Sequence, residues 1–186
     1  LAPAFSAFRD QFVGKYGEAE IFRLEAAWSL ALSAHEGQTR SSGEAYATHP
    51  LAVASILQES LDPGADALCA ALLHDVVEDS DVPLSRIAQQ FGSDVAHIVD
   101  GVSKLDAINA ASPGHEKDET LRKLVEAGGQ DWRVFAVKLC DRLHNMRTLG
   151  AVSVEKRRRV ALETHRVLFP LARYMGFHAL ANELEA

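Results

Sequence analysis

The chain has 186 residues, 47% of them hydrophobic and 24% charged, a composition that predicts one soluble domain around a single core and excludes a disordered chain. No window approaches the roughly 18 uninterrupted apolar residues of a membrane span. With 19 Lys plus Arg against 26 Asp plus Glu, the formal charge is −7, which excludes a surface built to grip many nucleic-acid phosphates but not a local basic cluster for a small anion.

Cys69 and Cys140 lie in the apolar stretches CAALL and VKLC and read as buried small hydrophobes, not as a disulfide framework. The opening residues LAPAFSAFRD lack the basic and apolar regions of a signal peptide, so a cytoplasmic protein is expected, and Leu1 in place of Met suggests a trimmed or excised chain.

Apolar residues recur at helical spacing, as at Phe5, Phe8 and Phe12 and at Leu24, Ala27, Trp28 and Ala31, and no segment sustains apolar/polar alternation. The fold class is therefore all-α, with about ten helices in one domain covering residues 1–186. In chain order the spacing predicts helices over about 3–15, 18–36, 50–60, 65–79, 84–91, 93–105, 117–128, 131–149, 153–169 and 176–185. Gly37, Asp62-Pro63-Gly64, Pro83 and Pro170 supply the breaks, and Ser93 and Ser153 the caps. The longest loop, about Asp106 to Glu116, is a candidate lid.

Three segments carry ligand-type side chains on apolar backgrounds. In Leu72-Leu73-His74-Asp75-Val76-Val77-Glu78-Asp79, an imidazole and three carboxylates follow a buried run; withdrawn from water they need a partner, and a divalent cation satisfies several at once. On a helix, His74 and Glu78 are i,i+4, as are Asp75 and Asp79, so the second pair of acids lies one turn beyond the first pair of candidate ligands. In Lys138-Leu139-Cys140-Asp141-Arg142-Leu143-His144-Asn145, Asp141 and Asn145 share a face, a carboxylate for a metal and an amide for a neighbouring oxygen. The third segment runs from Ala34 to Pro50 as helix end, polar loop and helix start, and spacing does not choose between its histidines, His35 and His49.

The ordered set His49, His74-Asp75 and Asp141, with the words AHEGQTRSSGEAYATHPLAVA, ALLHDVVEDS, FGSDVAHIVDGVSKL, VKLCDRLHNMRTL and ETHRVLFPLARYMGF, resembles the hydrolase domain of RelA/SpoT-type alarmone enzymes, within the HD superfamily of phosphohydrolases. The resemblance covers about residues 18 to 186. It implies an HD-type helical fold around one Mn²⁺ site and metal-dependent removal of the 3′-pyrophosphate from guanosine tetra- and pentaphosphate (ppGpp and pppGpp), ending the stringent-response signal. The implied metal ligands are His49, His74, Asp75 and Asp141, which leaves His35 structural; the implied catalytic acids are Glu78 and Asp79. Arg40, Asn145 and Thr148 fall on positions that meet the nucleotide, with Lys104, Arg122 and Lys123 as further phosphate candidates. The expected partner is thus a small nucleotide, with neither nucleic acid nor membrane.

This chain departs from the family in having Ser41 where a lysine is common in the Arg-Lys-Ser-Gly-Glu-Pro-Tyr loop. That keeps open an HD-type hydrolase for another nucleotide, such as NADPH. A hydrolase domain excised from a longer bifunctional RelA/SpoT protein, and a non-enzymatic regulatory domain, are the other readings; the second would be favoured by broken ligand positions, and all are filled. No phosphate-cradling Gly-rich motif is present, so alarmone synthesis is not expected of these residues.

Overall fold

A computed structural model describes residues 2–111, 125–126 and 131–185. Among these residues the chain is helical, with isolated bridges but no strand. The helices are α1 (Ala2–Asp10), α2 (Glu18–Ala34), α3 (Thr48–Ser60), α4 (Gly64–Leu73), α5 (Val76–Asp79), α6 (Leu84–Phe91), α7 (Ser93–Ala111), α8 (Trp132–Arg147), α9 (Val154–Glu163), α10 (Phe169–Tyr174) and α11 (His178–Glu185). No described helix is long and apolar enough to cross a membrane.

The core is organised by α4. After Asp66 in its first turn, its sequence GADALCAALL is apolar, and the run from Ala67 to Leu73 is buried throughout, the signature of a helix surrounded by others. It packs against α2, α3, α7 and α8. Cys69 and Cys140 are free and buried in this core. At the entry to the bundle α1 lies on α2, with Phe5 stacked on Trp28 at 5.1 Å between ring centroids.

Caps place the helices that matter for the site. The Asp131 carboxylate accepts from the backbone N–H of Arg133 at 3.0 Å and starts α8, and the Ser153 hydroxyl accepts from Lys156 N–H at 3.3 Å and starts α9, as its sequence position predicts. Pro50 sits in the first turn of α3, where a missing N–H removes no helical bond.

Four expectations change. The predicted helix over 3–15 stops at Asp10, the chain turning through Gly14 at φ +83°, a conformation that L side chains avoid. The predicted helix over 65–79 is broken: α4 ends at Leu73, Asp75 adopts φ −94° and ψ −9°, and α5 restarts at Val76. The helix predicted to end near 105 continues to Ala111, so Asp106 is helical and not the start of a loop; the rest of the candidate lid and most of the predicted helix 117–128 lie outside the described residues. Finally, Pro170 does not break the chain before a last helix. Its missing donor is passed by a widened π-turn over Thr164–Leu168, in which Phe169 N–H reaches Thr164 O, and α10 follows directly.

Candidate functional site

The break between α4 and α5 has a geometric consequence. On an unbroken helix His74 and Asp75 would point about 100° apart; with the kink, both turn toward the first turn of α3 and the middle of α8. His49 Nε2 lies 3.2 Å from Asp141 Oδ1 and 3.5 Å from Asp75 Oδ2. His74 Nε2 lies 3.2 Å from Asp75 Oδ1 and 3.9 Å from Asp141 Oδ1. His49, His74 and Asp141 present ligand atoms all within 4.8 Å of one another, and Asp75 adjoins them through both oxygens.

The residues fit a divalent ion. Among the described residues, buried His74 Nε2 makes no hydrogen bond, while His74 Nδ1–H donates to Ala71 O at 2.8 Å, so the other ring nitrogen faces the carboxylates. Burial opposes charge on His74, but Asp75 and Asp141 outweigh it and hold the imidazole above its ordinary value; a nitrogen that attracts a proton there attracts a metal cation by the same field. Burial pushes His49 down, against the pull of Asp141. Two imidazoles with two carboxylates form a mixed N/O donor set open to several first-row metals.

Further residues hold these ligands. Lys138 Nζ donates to Asp141 Oδ2 at 2.8 Å and also contacts Asp106; Asn145 Nδ2 donates to Asp141 Oδ1 at 2.6 Å. Despite burial, Lys138 and the two histidines keep the Asp141 carboxyl well below the usual range. The Tyr46 hydroxyl lies 2.8 Å from Asp75 Oδ2 and 2.9 Å from Asp79 Oδ2, its single proton offered to the pair. Burial, reinforced by Asp75, raises Tyr46 well above the ordinary phenol value, so it stays a neutral phenol. Arg40, in a loop closed by its own N–H to Glu44 O at 2.9 Å, donates from Nη2 to Asn145 Oδ1 at 2.8 Å and places Nη1 at 3.3 Å from His144 Nδ1.

A cavity of about 340 Å³ opens over this cluster. His49, Asp75, Glu78 and Asp141 stand on its wall, together with Arg40, Asn145 and Thr148; Lys156 and Arg159 of α9 line it as well. The structure therefore brings the four candidate ligands together with Glu78, Arg40, Asn145 and Thr148. Asp79 is not on this wall; among the described residues its carboxylate meets the site through the Tyr46 hydroxyl. Lys104 is exposed, pairs with Asp100 of its own helix and is not among the residues lining the cavity. Arg122 and Lys123 lie outside the described residues. His35 is buried, stacks on Tyr46 at 4.4 Å and pairs Nδ1 with Gln38 Oε1 at 3.0 Å, away from the ligands.

Sequence reasoning missed Tyr46, Asp106, Lys138 and His144. Lys138 carried a signal, a lysine within the apolar run VFAVKLC, which requires a buried counter-charge. His144 carried none beyond its presence one turn from Cys140.

Comparison with known proteins agrees with this geometry. The sequence pattern of the family described as HD domain matches residues 27–178. The chain is 50% identical over 169 residues to the bifunctional (p)ppGpp synthase/hydrolase SpoT of Escherichia coli (strain K12), covering 90% of this chain and 24% of that protein. It is 48% identical over 182 residues to the guanosine-3′,5′-bis(diphosphate) 3′-pyrophosphohydrolase of Vibrio cholerae, covering 97% of this chain and 26% of the relative. The chain thus spans about a quarter of the length of these curated relatives. Among solved structures, a metazoan ortholog of SpoT described as hydrolysing ppGpp superimposes with a TM-score of 0.70 at 26% identity, over 91% of this chain and 95% of that one.

Proposed function

The chain belongs to the HD domain family, and we propose that it is a metal-dependent guanosine-3′,5′-bis(diphosphate) 3′-pyrophosphohydrolase, acting as a single cytoplasmic hydrolase domain on ppGpp and pppGpp. The observation that carries this reading is the convergence of His49, His74, Asp75 and Asp141, with His74 buried behind the other three, at a cavity whose wall also presents Arg40, Lys156 and Arg159. The likeness to a ppGpp-hydrolysing protein over 95% of that protein's chain supports it.

His49, His74, Asp75 and Asp141 would hold the ion, with Mn²⁺ the one that the family resemblance implies. When bound, such an ion supplies Lewis acidity, making water a stronger acid and offsetting charge that builds on phosphorus. Of the two acids that follow His74-Asp75, Glu78 is the one on the cavity wall, and it takes the proton of the attacking water. Partial burial pushes its carboxyl above the ordinary range, which suits a base working near neutrality. Asp79 acts through the Tyr46 hydroxyl, fixing the orientation of Asp75. Arg40, already hydrogen-bonded to Asn145, faces the pyrophosphate. The water oxygen bonds to the phosphorus attached to the 3′ oxygen, that P–O bond breaks, the 3′ oxygen gains a proton, and pyrophosphate leaves as one unit with GDP or GTP.

The test is incubation of the purified chain with ppGpp and Mn²⁺ in ¹⁸O-labelled water. GDP and intact pyrophosphate carrying the label are expected. Stepwise orthophosphate, label in the nucleoside, or inertness toward ppGpp with turnover of NADPH would reject the assignment.

A further inference from the structure

His144 is one residue removed from the ligands, and its contacts determine more than packing. Its Nδ1 lies 2.8 Å from Nδ1 of His49 and 3.3 Å from Nη1 of Arg40. A guanidinium only donates, so the lone pair of His144 Nδ1 points into this space and the proton of the imidazole pair resides on His49 Nδ1. The opposite nitrogen of His49, Nε2, then presents its lone pair between Asp141 and Asp75. Without an acceptor at the Nδ1 side, those same carboxylates favour a proton on Nε2, the tautomer that cannot ligate.

We infer that His144 is a positioning residue that fixes the tautomer and ring orientation of His49 for metal ligation, and that Arg40 reports to the metal centre through it. The inference rests on the reading of His49 as a ligand and not on the identity of the nucleotide. His74 obtains the same orientation from the carbonyl of Ala71, so the two imidazoles are set by different devices, one from the backbone and one from a side chain of α8. Outer partners of this kind change metal affinity by about 10–100-fold when removed.

Two readouts independent of nucleotide turnover test it. Mn²⁺ affinity, measured by chelator competition, is expected to weaken about 10–100-fold in His144→Leu. It should return to within about threefold of the parent in His144→Asn, whose side-chain oxygen occupies the place of Nδ1. In the metal-free parent protein, ¹⁵N NMR of the histidine rings is expected to show His49 protonated on Nδ1. Parent-like affinity in His144→Leu, or equal losses in the two variants, would overturn the inference. So would a His49 proton on Nε2 in the parent, a result that does not depend on any variant folding.

Discussion

Lys138 is 4% exposed, and its ammonium survives there because two carboxylates face it. Burial pushes its pKa down, but Asp141 and Asp106 outweigh burial and raise it. Lys138→Met leaves those acids without their cation, and breaking one side of a buried pair costs about 3–5 kcal/mol. The expected outcome is a lower melting temperature without metal, recovered in part by Mn²⁺, which returns positive charge to Asp141; a variant as stable as the parent in both conditions would remove Lys138 from the support of the site. Glu78 behaves oppositely. Its raised carboxyl pKa means that, from the ordinary carboxyl range up to the raised value, the folded chain binds the proton more tightly than the unfolded chain. Stability therefore falls as pH rises through that window and stays lowered at neutral pH. Glu78→Gln is expected to melt no lower than the parent at pH 7 while kcat drops by about 10²–10⁴-fold, with loss of the acid limb of the pH–rate profile. A large fall in melting temperature would instead make Glu78 structural. At this scale the sequence makes the clustered candidate ligands legible, because His49, HD and Asp141 sit in words specific to a family. It hides the supports: Tyr46 meets Asp75 across 29 positions and His144 meets His49 across 95, separations with no periodic signature.

At the scale of elements, the junction between α4 and α5 shows why a helical period misleads at a site. Periodicity sees His74 to Asp79 as the continuation of an apolar helix, since hydrophobic spacing does not register a kink that costs only two residues of regular structure. The break at Asp75 aims two adjacent side chains at one point. Helix α7 errs in the other direction. Turn-forming residues after Asp106 suggested a loop, yet Asp106 is held in the helix by its contact with Lys138 of α8, a tertiary tie that overrides local propensity. The close passage of α7 over α8 is enabled by Gly101, where an added Cβ would meet both methyls of Val134 at 2.8 and 2.9 Å. Rotating a β-branched side chain replaces one methyl by the other, so the contact is not relieved without moving a helix. Gly101→Ala gains roughly 1 kcal/mol of helix propensity but incurs overpacking of about 1–3 kcal/mol, and the separation between Lys138 and Asp106 is set by the same interface. A net loss of stability with weaker Mn²⁺ binding is expected from denaturant melts and chelator competition; a stabilised variant with unchanged metal affinity would show that the interface yields.

For the whole molecule, the all-α class followed from spacing alone, whereas the meeting of α3, the α4–α5 junction and α8 at one point is a property of packing that no local pattern encodes. The same is true of charge. A chain of net charge −7 lines one cavity with Arg40, Lys138, Arg142, Lys156 and Arg159 against Asp75, Glu78, Asp106, Asp141 and Glu163, so the charge is balanced there, and this local balance in place of the total is what the proposed polyanionic substrate meets. Because the proposed ligands come from residues 49, 74, 75 and 141, the unfolded chain has no preformed site, and an ion that binds only the folded state stabilises it by RT ln(1 + [L]/Kd), about 2.7 kcal/mol at a hundredfold excess over Kd. At roughly 2–4 °C per kcal/mol for a domain of this size, that is a rise in melting temperature of about 5–10 °C. Titration of the parent with Mn²⁺ should show this rise, growing with the logarithm of metal concentration above Kd, and excess chelator should reverse it. In Asp141→Ala the slope should vanish, because the carboxylate whose Oδ1 faces both imidazoles is gone. A parent melting temperature indifferent to Mn²⁺ would contradict a site assembled by folding, and an Asp141→Ala variant with the parent's slope would place the ion elsewhere in the molecule.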